Sequence, residues 1–416
     1  ESQIRTREGW CGACSAVVMG CSASSASGGE CDRQGTATPT DPCLGVNASM
    51  WSWQNEGAQQ LPDLVVVDRK TVNMDLFWVR NKHKEVIVRE RGTVSGQQFV
   101  LDSCEDCDVF VLDHLETVTM EKCKNCRVFL GPMRSSFFIR DSSACVVVVA
   151  CQQFRLRDCE DCLFSLFAAT EPVVENPKKC RFSCFDYAYF ILSEQFNTVG
   201  LSVFNNAWSR IHDFTPQTSD FSVCASGSEE AMEPGRKLLR SPCELTSVSE
   251  QEFLQIDCPV PRTLGRSFSC RIAGTRTSLV VFLPGHVKEA IALASSLGRV
   301  ENAVPCGGSW LVQCKELKLD TTQAREFAEH AIPKSMPFRD RKRFLAVTRV
   351  GPCIAMEVVE SLDRESLLGM CRSAFEKLDL DFGGQEGLYV SHGSEHNNSS
   401  CVDCLFDKKE HGAHQF

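Results

Sequence analysis

The sequence predicts a β-solenoid followed by an α+β domain of ferredoxin-like type, on three observations. Short apolar, strand-like runs recur every 17–19 residues between 92 and 170, with cysteine at one phase of the repeat. From Ser278 the pattern changes to strands alternating with helices, as far as residue 392. Between them Thr215 to Thr277 has no periodicity and is enriched in Ser, Glu, Pro and Gly, the composition of a linker.

At 416 residues the chain predicts two or three domains, and 43% hydrophobic with 24% charged residues is the balance of a globular protein. The net charge of −10 argues against a general nucleic-acid binder, which needs basic surface to neutralise phosphates. The 25 cysteines would mean a disulfide framework in a small secreted protein, but this chain is large. Gly9 to Gly20 contains no Leu or Ile and is too rich in Cys and Gly for a signal peptide's apolar region. The cysteines are therefore read as reduced, small, buried hydrophobes of a cytosolic protein. No run of apolar residues reaches the roughly 18 that would predict a spanning helix.

The first residue is Glu1, and Met19-Gly20-Cys21-Ser22-Ala23-Ser24 fits the myristoylation pattern M-G-x-x-x-[ST]. Gly20 is the expected acyl acceptor once Met19 is the true start, with Cys21 beside it for palmitoylation. One acyl chain binds a membrane marginally and a second makes the anchor durable. The competing reading is a chance Met-Gly pair in a Ser/Gly-rich stretch. Residues 1–49 read as a disordered N-terminal segment, and Met50 to Val88 as a packed lead-in to the first repeat.

The repeat itself begins with Cys104-x-x-Cys107 before Asp108 to Asp113, and continues with Cys123-x-x-Cys126 before Arg127 to Gly131. Cys145 precedes Val146 to Ala150, and Cys159-x-x-Cys162 precedes Leu163 to Phe167. The first two pairs also have the spacing of a zinc ribbon. The pairs run on past four ligands, each before the same apolar strand, so repeat phase explains all of them and no metal site is assigned. One coil closes on Cys151-Gln152-Gln153-Phe154-Arg155-Leu156-Arg157-Asp158. Period-2 alternation puts Gln153 and Arg155 on one face, and Gln152 and Phe154 on the other. An ordinary exposed sheet face is the plain alternative. Pro172 to Asp213 keeps strand-like and aromatic runs and reads as the solenoid's cap, which bounds the domain at 50–216 with a linker over 217–277.

In the second domain (278–392) strands are predicted at Leu279–Leu283, Trp310–Cys314, Cys353–Val358 and Gly387–Val390. Helices are predicted at His286–Leu297, Thr321–Ile332 and Arg364–Leu378. The tail, 393–416, is polar and read as disordered. Its Cys401-x-x-Cys404 with His411 and His414 reads as solvated chain.

Gly92-Thr-Val-Ser-Gly-Gln-Gln-Phe99, the Cys-x-x-Cys coils, Cys151-Gln-Gln-Phe-Arg155 and Phe204 to Phe214 together resemble the tubulin-cofactor-C family, in its ciliary branch. The resemblance is dense over 92–216 and weaker over 278–390. It implies a right-handed parallel β-helix followed by a nucleoside-diphosphate-kinase-like domain, and a doubly acylated Met-Gly-Cys start. It further implies a GTPase-activating protein for an Arf-like small GTPase in its GTP form, at the cytoplasmic face of the plasma membrane and the base of the cilium. Arg155 would be the arginine finger, with Gln153 helping to place the partner's own catalytic groups. Gln152, Glu175 and Phe214 would contact the GTPase. The protein would carry no cofactor of its own, since GTP and magnesium belong to the partner. Two other functions stay open: a non-catalytic effector or scaffold, and a tubulin-folding cofactor acting on the GTP of β-tubulin. His392, in His-Gly-Ser-Glu, resembles the phosphorylated histidine of nucleoside diphosphate kinases. Their phosphate-holding Lys-Pro-Asp is replaced by Phe282-Leu-Pro-Gly285, so kinase activity is not expected.

Overall fold

A computed structural model describes residues 73–224, 258–265, 276–297, 310–331, 348–360 and 388–390, with positions 342, 345–346 and 405. Gly20, Cys21, His392, the tail cysteines and the helix expected at 364–378 lie outside the described residues.

In chain order the first strands are β1 (Trp78–Arg80), β2 (Val86–Arg89), β3 (Phe99–Asp102), β4 (Asp108–Val111), β5 (Val118–Glu121), β6 (Arg127–Leu130) and β7 (Met133–Arg140). They are followed by β8 (Val146–Arg157), β9 (Leu163–Ala168), β10 (Val173–Glu175), β11 (Cys180–Cys184), helix α1 (Leu192–Val199), β12 (His212–Asp213) and β13 (Phe221–Val223). All strand pairs here are parallel, and they form a β-helix. One ladder runs β1-β3-β5-β7, through the C-terminal half of β8, to β10 and β12. A second runs β2-β4-β6, through the N-terminal half of β8, to β9, β11 and β13. Between them a short third ladder stacks His83, Glu105, Lys124, Ser143, Glu160 and Lys178.

The corners of this third ladder come from local chemistry. Each coil brackets its bridge residue with two left-handed residues, such as Ser103 and Asp106 (both φ 55°) or Asp158 (φ 48°) and Asp161 (φ 52°). Asp and Asn, the commonest residues at these positions, tolerate that conformation better than most, because their short polar groups bond locally. Asn125 donates to Asp106 at 2.6 Å and Asn176 to Asp158 at 2.7 Å, so the corners also bond coil to coil.

Cysteine fills the inside of these corners. Cys107, Cys126, Cys145, Cys162 and Cys180 are free and buried, and they recur at one phase of successive coils. Cys126 Sγ donates to the Cys104 carbonyl (3.4 Å), and Cys180 Sγ to that of Cys159 (3.5 Å). The repeat thus sets the thiols in rows along the solenoid. Among the described residues no group of three or more His, Cys, Asp or Glu is gathered to hold a metal ion.

Three features differ from the sequence expectations. The solenoid starts one coil earlier, with β1 and β2 inside the expected lead-in. That coil lacks Cys-x-x-Cys, and Asn81 and Lys84 (both φ 53°) make its corner instead. The expected end cap lies largely along the side. Phe110, Phe129, Val148 and Phe167 point outward from the second ladder and are buried under Phe185, Tyr187, Tyr189, Leu192 and Phe196. Apolar outward positions need such a cover. Finally, the ladders continue through β12 and β13, and β13 lies in the stretch read as linker.

The second domain contains β14 (Arg276–Phe282), α2 (Val287–Ser296), β15 (Trp310–Leu317), α3 (Thr321–Ala331), β16 (Cys353–Glu360) and β17 (Leu388–Val390). The sheet is antiparallel in the order β15-β16-β14-β17, the ferredoxin-like order 2-3-1-4. Alternation splits its core. Val280, Phe282 and Met356 face Ala290 and Leu293 of α2, whereas Leu279, Val281 and Ala355 face Ala324 and Phe327 of α3. Among the described residues no helix is long and apolar enough to cross a membrane.

The two domains are stitched through chain beside the last coils. Phe204 is buried in the α2-side core, and Asn205 Oδ1 accepts from Glu316 N at 2.8 Å. Residues 258–265, also read as linker, form a strap. Leu264 N donates to the Leu311 carbonyl (2.9 Å), Arg262 pairs with Asp186 (2.7 Å), and Trp208 Nε1 donates to Thr263 Oγ1 (2.8 Å).

The Glu316 carboxyl is buried at this junction, where Oε2 accepts from Ser202 and Oε1 has no partner. Burial pushes it above its ordinary 4.5, and the Ser202 hydrogen bond opposes that only in part. The folded state therefore holds this proton more tightly than the unfolded chain does. The resulting stability is greatest at or below the ordinary carboxylate range and falls as pH rises above it. Glu316→Gln is expected to gain in melting temperature over the wild type as the pH is raised from about 4.5 to neutrality. A gap constant with pH in thermal melts would refute this.

Candidate functional site

Most coils pass from the second ladder to the first through a connection, as between Arg89 and Phe99 or Val111 and Val118. β8 does it without a break, since its 12 residues belong to both ladders. It is paired on both sides, with β6 and β7 on one and β9 and β10 on the other. Arg155 is in register with β7 on one side and β10 on the other, so its backbone is a rigid mount.

The corner falls at Cys151-Gln152, opposite a register shift between Met133 and Ser136. Cys151 is buried and Gln152 exposed, with the Gln152 carbonyl accepting from Thr170 N (3.0 Å) and Thr170 Oγ1 (2.9 Å). The expected pairing of Gln152 and Phe154 on one face is corrected here. Phe154 is fully buried, because the chain turns between the two residues and alternation restarts beyond the corner. Gln153 and Arg155 do share the outward face. Gln153 is half-buried, and its Oε1 accepts from Ser136 Oγ at 3.4 Å.

Arg155 is exposed and stands in register between Phe138 on β7 and Val173 on β10. Its guanidinium carbon lies 5.8 Å from the Phe138 ring centroid, and it has no ion-pair partner among the described residues. The next outward arginine differs. Arg157 Nε lies 3.0 Å from Asp158 and 3.9 Å from Glu175. Glu175 is therefore tied to Arg157 and is not an isolated surface acid. On β10, about 4.8 Å from β8, Glu175 stands opposite Arg157 while Val173 stands opposite Arg155.

Phe214 follows β12, and its N donates to the Val174 carbonyl at 3.0 Å. Its ring is 63% exposed and packs edge-on against His212, 4.7 Å between centroids. It is thus a surface aromatic held by the sheet and not a core residue. Arg155, Gln153, Glu175 and Phe214 share the outward side of the first ladder, with Gln152 at its corner; Glu175 and Phe214 lie in the row of Arg157, two residues along from Arg155. The sequence reading missed Phe138 and Arg157. Phe138 precedes Arg155 by one 17-residue coil, and Arg157 precedes Glu175 by one 18-residue coil, so repeat phase could have found both.

Set beside known proteins, the sequence pattern of tubulin binding cofactor C matches residues 96–214. Protein XRP2 of Danio rerio is 32% identical over 381 residues, covering 89% of this chain and 91% of the relative. Protein XRP2 of Mus musculus is 32% identical over 307 residues, 73% of this chain and 82% of the relative. Human tubulin-specific chaperone C is 26% identical over 134 residues, 32% of this chain and 39% of the relative. The class that fold and site define is a cofactor-C-type β-helix with an outward arginine on its long strand. The chain belongs to the tubulin-cofactor-C family, as an XRP2-type member.

Proposed function

We propose that the protein is a GTPase-activating protein whose Arg155 enters the nucleotide site of an Arf-like small GTPase in its GTP form. Family membership fits a GTPase-activating or tubulin-cofactor-like role. The observation that carries the choice is Arg155 itself: exposed, without a carboxylate partner among the described residues, and mounted on a strand bonded on both sides. A guanidinium placed in advance can offset the charge that develops on the transferring phosphoryl group without reorganising first. In this reading Gln153 orients the partner's own catalytic groups, and Gln152, Glu175 and Phe214 form the docking rim. GTP and magnesium are the partner's, and the protein brings no cofactor.

The sequence around Gly20 and Cys21 supports double acylation. That would hold the protein at the cytoplasmic face of the plasma membrane and at the base of the cilium, where it would act in traffic of lipidated proteins. Single-turnover hydrolysis of GTP on a panel of Arf-like GTPases, with tubulin included, tests the proposal. Stimulation of at least one GTPase is expected. Stimulation of tubulin alone, or of nothing in the panel, would overturn it.

A further inference from the structure

The other outward arginines of the first ladder each reach a carboxylate: Arg80 lies 3.8 Å from Asp102 as well as 4.2 Å from the Trp78 ring centroid, and Arg134 lies 4.0 Å from Glu116. Arg140 Nη2 lies 2.7 Å from Glu121, and Arg157 is held by Asp158 and Glu175. Arg155 has no such neighbour among the described residues and has the ring of Phe138 instead, one rung back on β7. Phe138 occupies an outward position that Thr119 fills one coil earlier, and it remains half-buried there while Phe137 beside it points into the core.

We infer that Phe138 is a positioning residue that holds the Arg155 guanidinium in place while leaving its hydrogen-bond donors unused. The inference rests on the GTPase-activating reading above. A carboxylate in the same place would occupy N–H groups and offset the charge, and both would have to be undone when the arginine meets the phosphates. An aromatic face attracts the cation through its quadrupole yet takes none of the in-plane donors. All five N–H groups then stay available for phosphate and main-chain oxygens of the partner. The ring also narrows the range of Arg155 rotamers, so less side-chain freedom is lost when the guanidinium meets the reacting phosphoryl group. A plain cross-strand packing role for Phe138 would need only apolar bulk, which leucine also supplies.

The test compares Phe138→Leu, Phe138→Tyr and Arg155→Ala with wild type, using the Arf-like GTPase that responds in the panel and varying activator concentration. Phe138→Leu is expected to lower the saturating single-turnover rate about three- to fivefold, with the half-saturating concentration within about twofold of wild type. Phe138→Tyr keeps the ring and should restore the rate. Arginine-selective NMR of the wild-type protein supplies a readout that does not depend on any variant folding. The Arg155 side-chain protons should show an upfield ring-current shift, kept with tyrosine.

Three results would overturn the positioning role while Arg155→Ala stays inactive: an unchanged rate in Phe138→Leu, a tyrosine variant as slow as leucine, or no ring-current shift. A loss confined to the half-saturating concentration would do the same. An Arg155→Ala protein that stimulates like wild type overturns the underlying reading instead.

Discussion

Arg155→Ala is expected to abolish stimulation of the partner GTPase, a loss of about 10³–10⁵ in single-turnover rate. The size follows from where the charge acts. In a closed nucleotide site water is excluded, and a guanidinium aimed at the developing charge is worth far more than in solution. Binding should survive, because Gln152, Glu175 and Phe214 stand apart from the reacting atoms in this reading. A pull-down with GTP-loaded partner should therefore match wild type. Arg155→Lys should recover little, since lysine offers a point charge without the planar fork. An Arg155→Ala variant that stimulates like wild type would take the arginine-finger role away from Arg155.

Phe154→Ala is expected to have the largest effect on stability, about 3–5 kcal/mol in chemical denaturation. Phe154 is fully buried directly beneath the site. Its ring lies 5.7 Å from Phe137, 5.2 Å from Phe164 and 6.0 Å from Phe182, so four aromatic side chains from successive coils share one cluster. Truncation loses the burial of the ring and leaves a space that paired strands on both sides cannot close. The same loss should loosen the mount of Arg155 and lower stimulation at temperatures where the fold survives. A cost below about 1 kcal/mol would mean that the coils relax into the gap, against the rigidity argued for β8.

The two halves of β8 show why some of the site could be read from sequence and some could not. Alternation places Gln153 and Arg155 on one face and Phe154 on the other, and the structure agrees. It failed at Gln152, because a corner resets alternation and the corner depends on the opposing register of Met133 and Ser136. Glu175 and Phe214 were singled out only through the family resemblance. Their place on the same face as Arg155 required knowing that β10 stacks on β8 and β12 on β10.

The solenoid and the strand–helix alternation of the second domain were legible in the sequence, since both rest on local periodicity, whereas the strand order comes from the pairing of distant segments. Apolar runs at coil spacing and strand–helix alternation are properties of short segments. Only the tertiary structure decided which charges stay free. Arg155 and Arg157 are two residues apart with the same chemistry, and the one local difference is Asp158, which follows Arg157 and lies 3.0 Å from it. The next coil sets an acid beside Arg157, and the previous coil sets an aromatic ring beside Arg155. Charge availability depends on neighbours a full coil away, and stacking the coils is what brings them into contact.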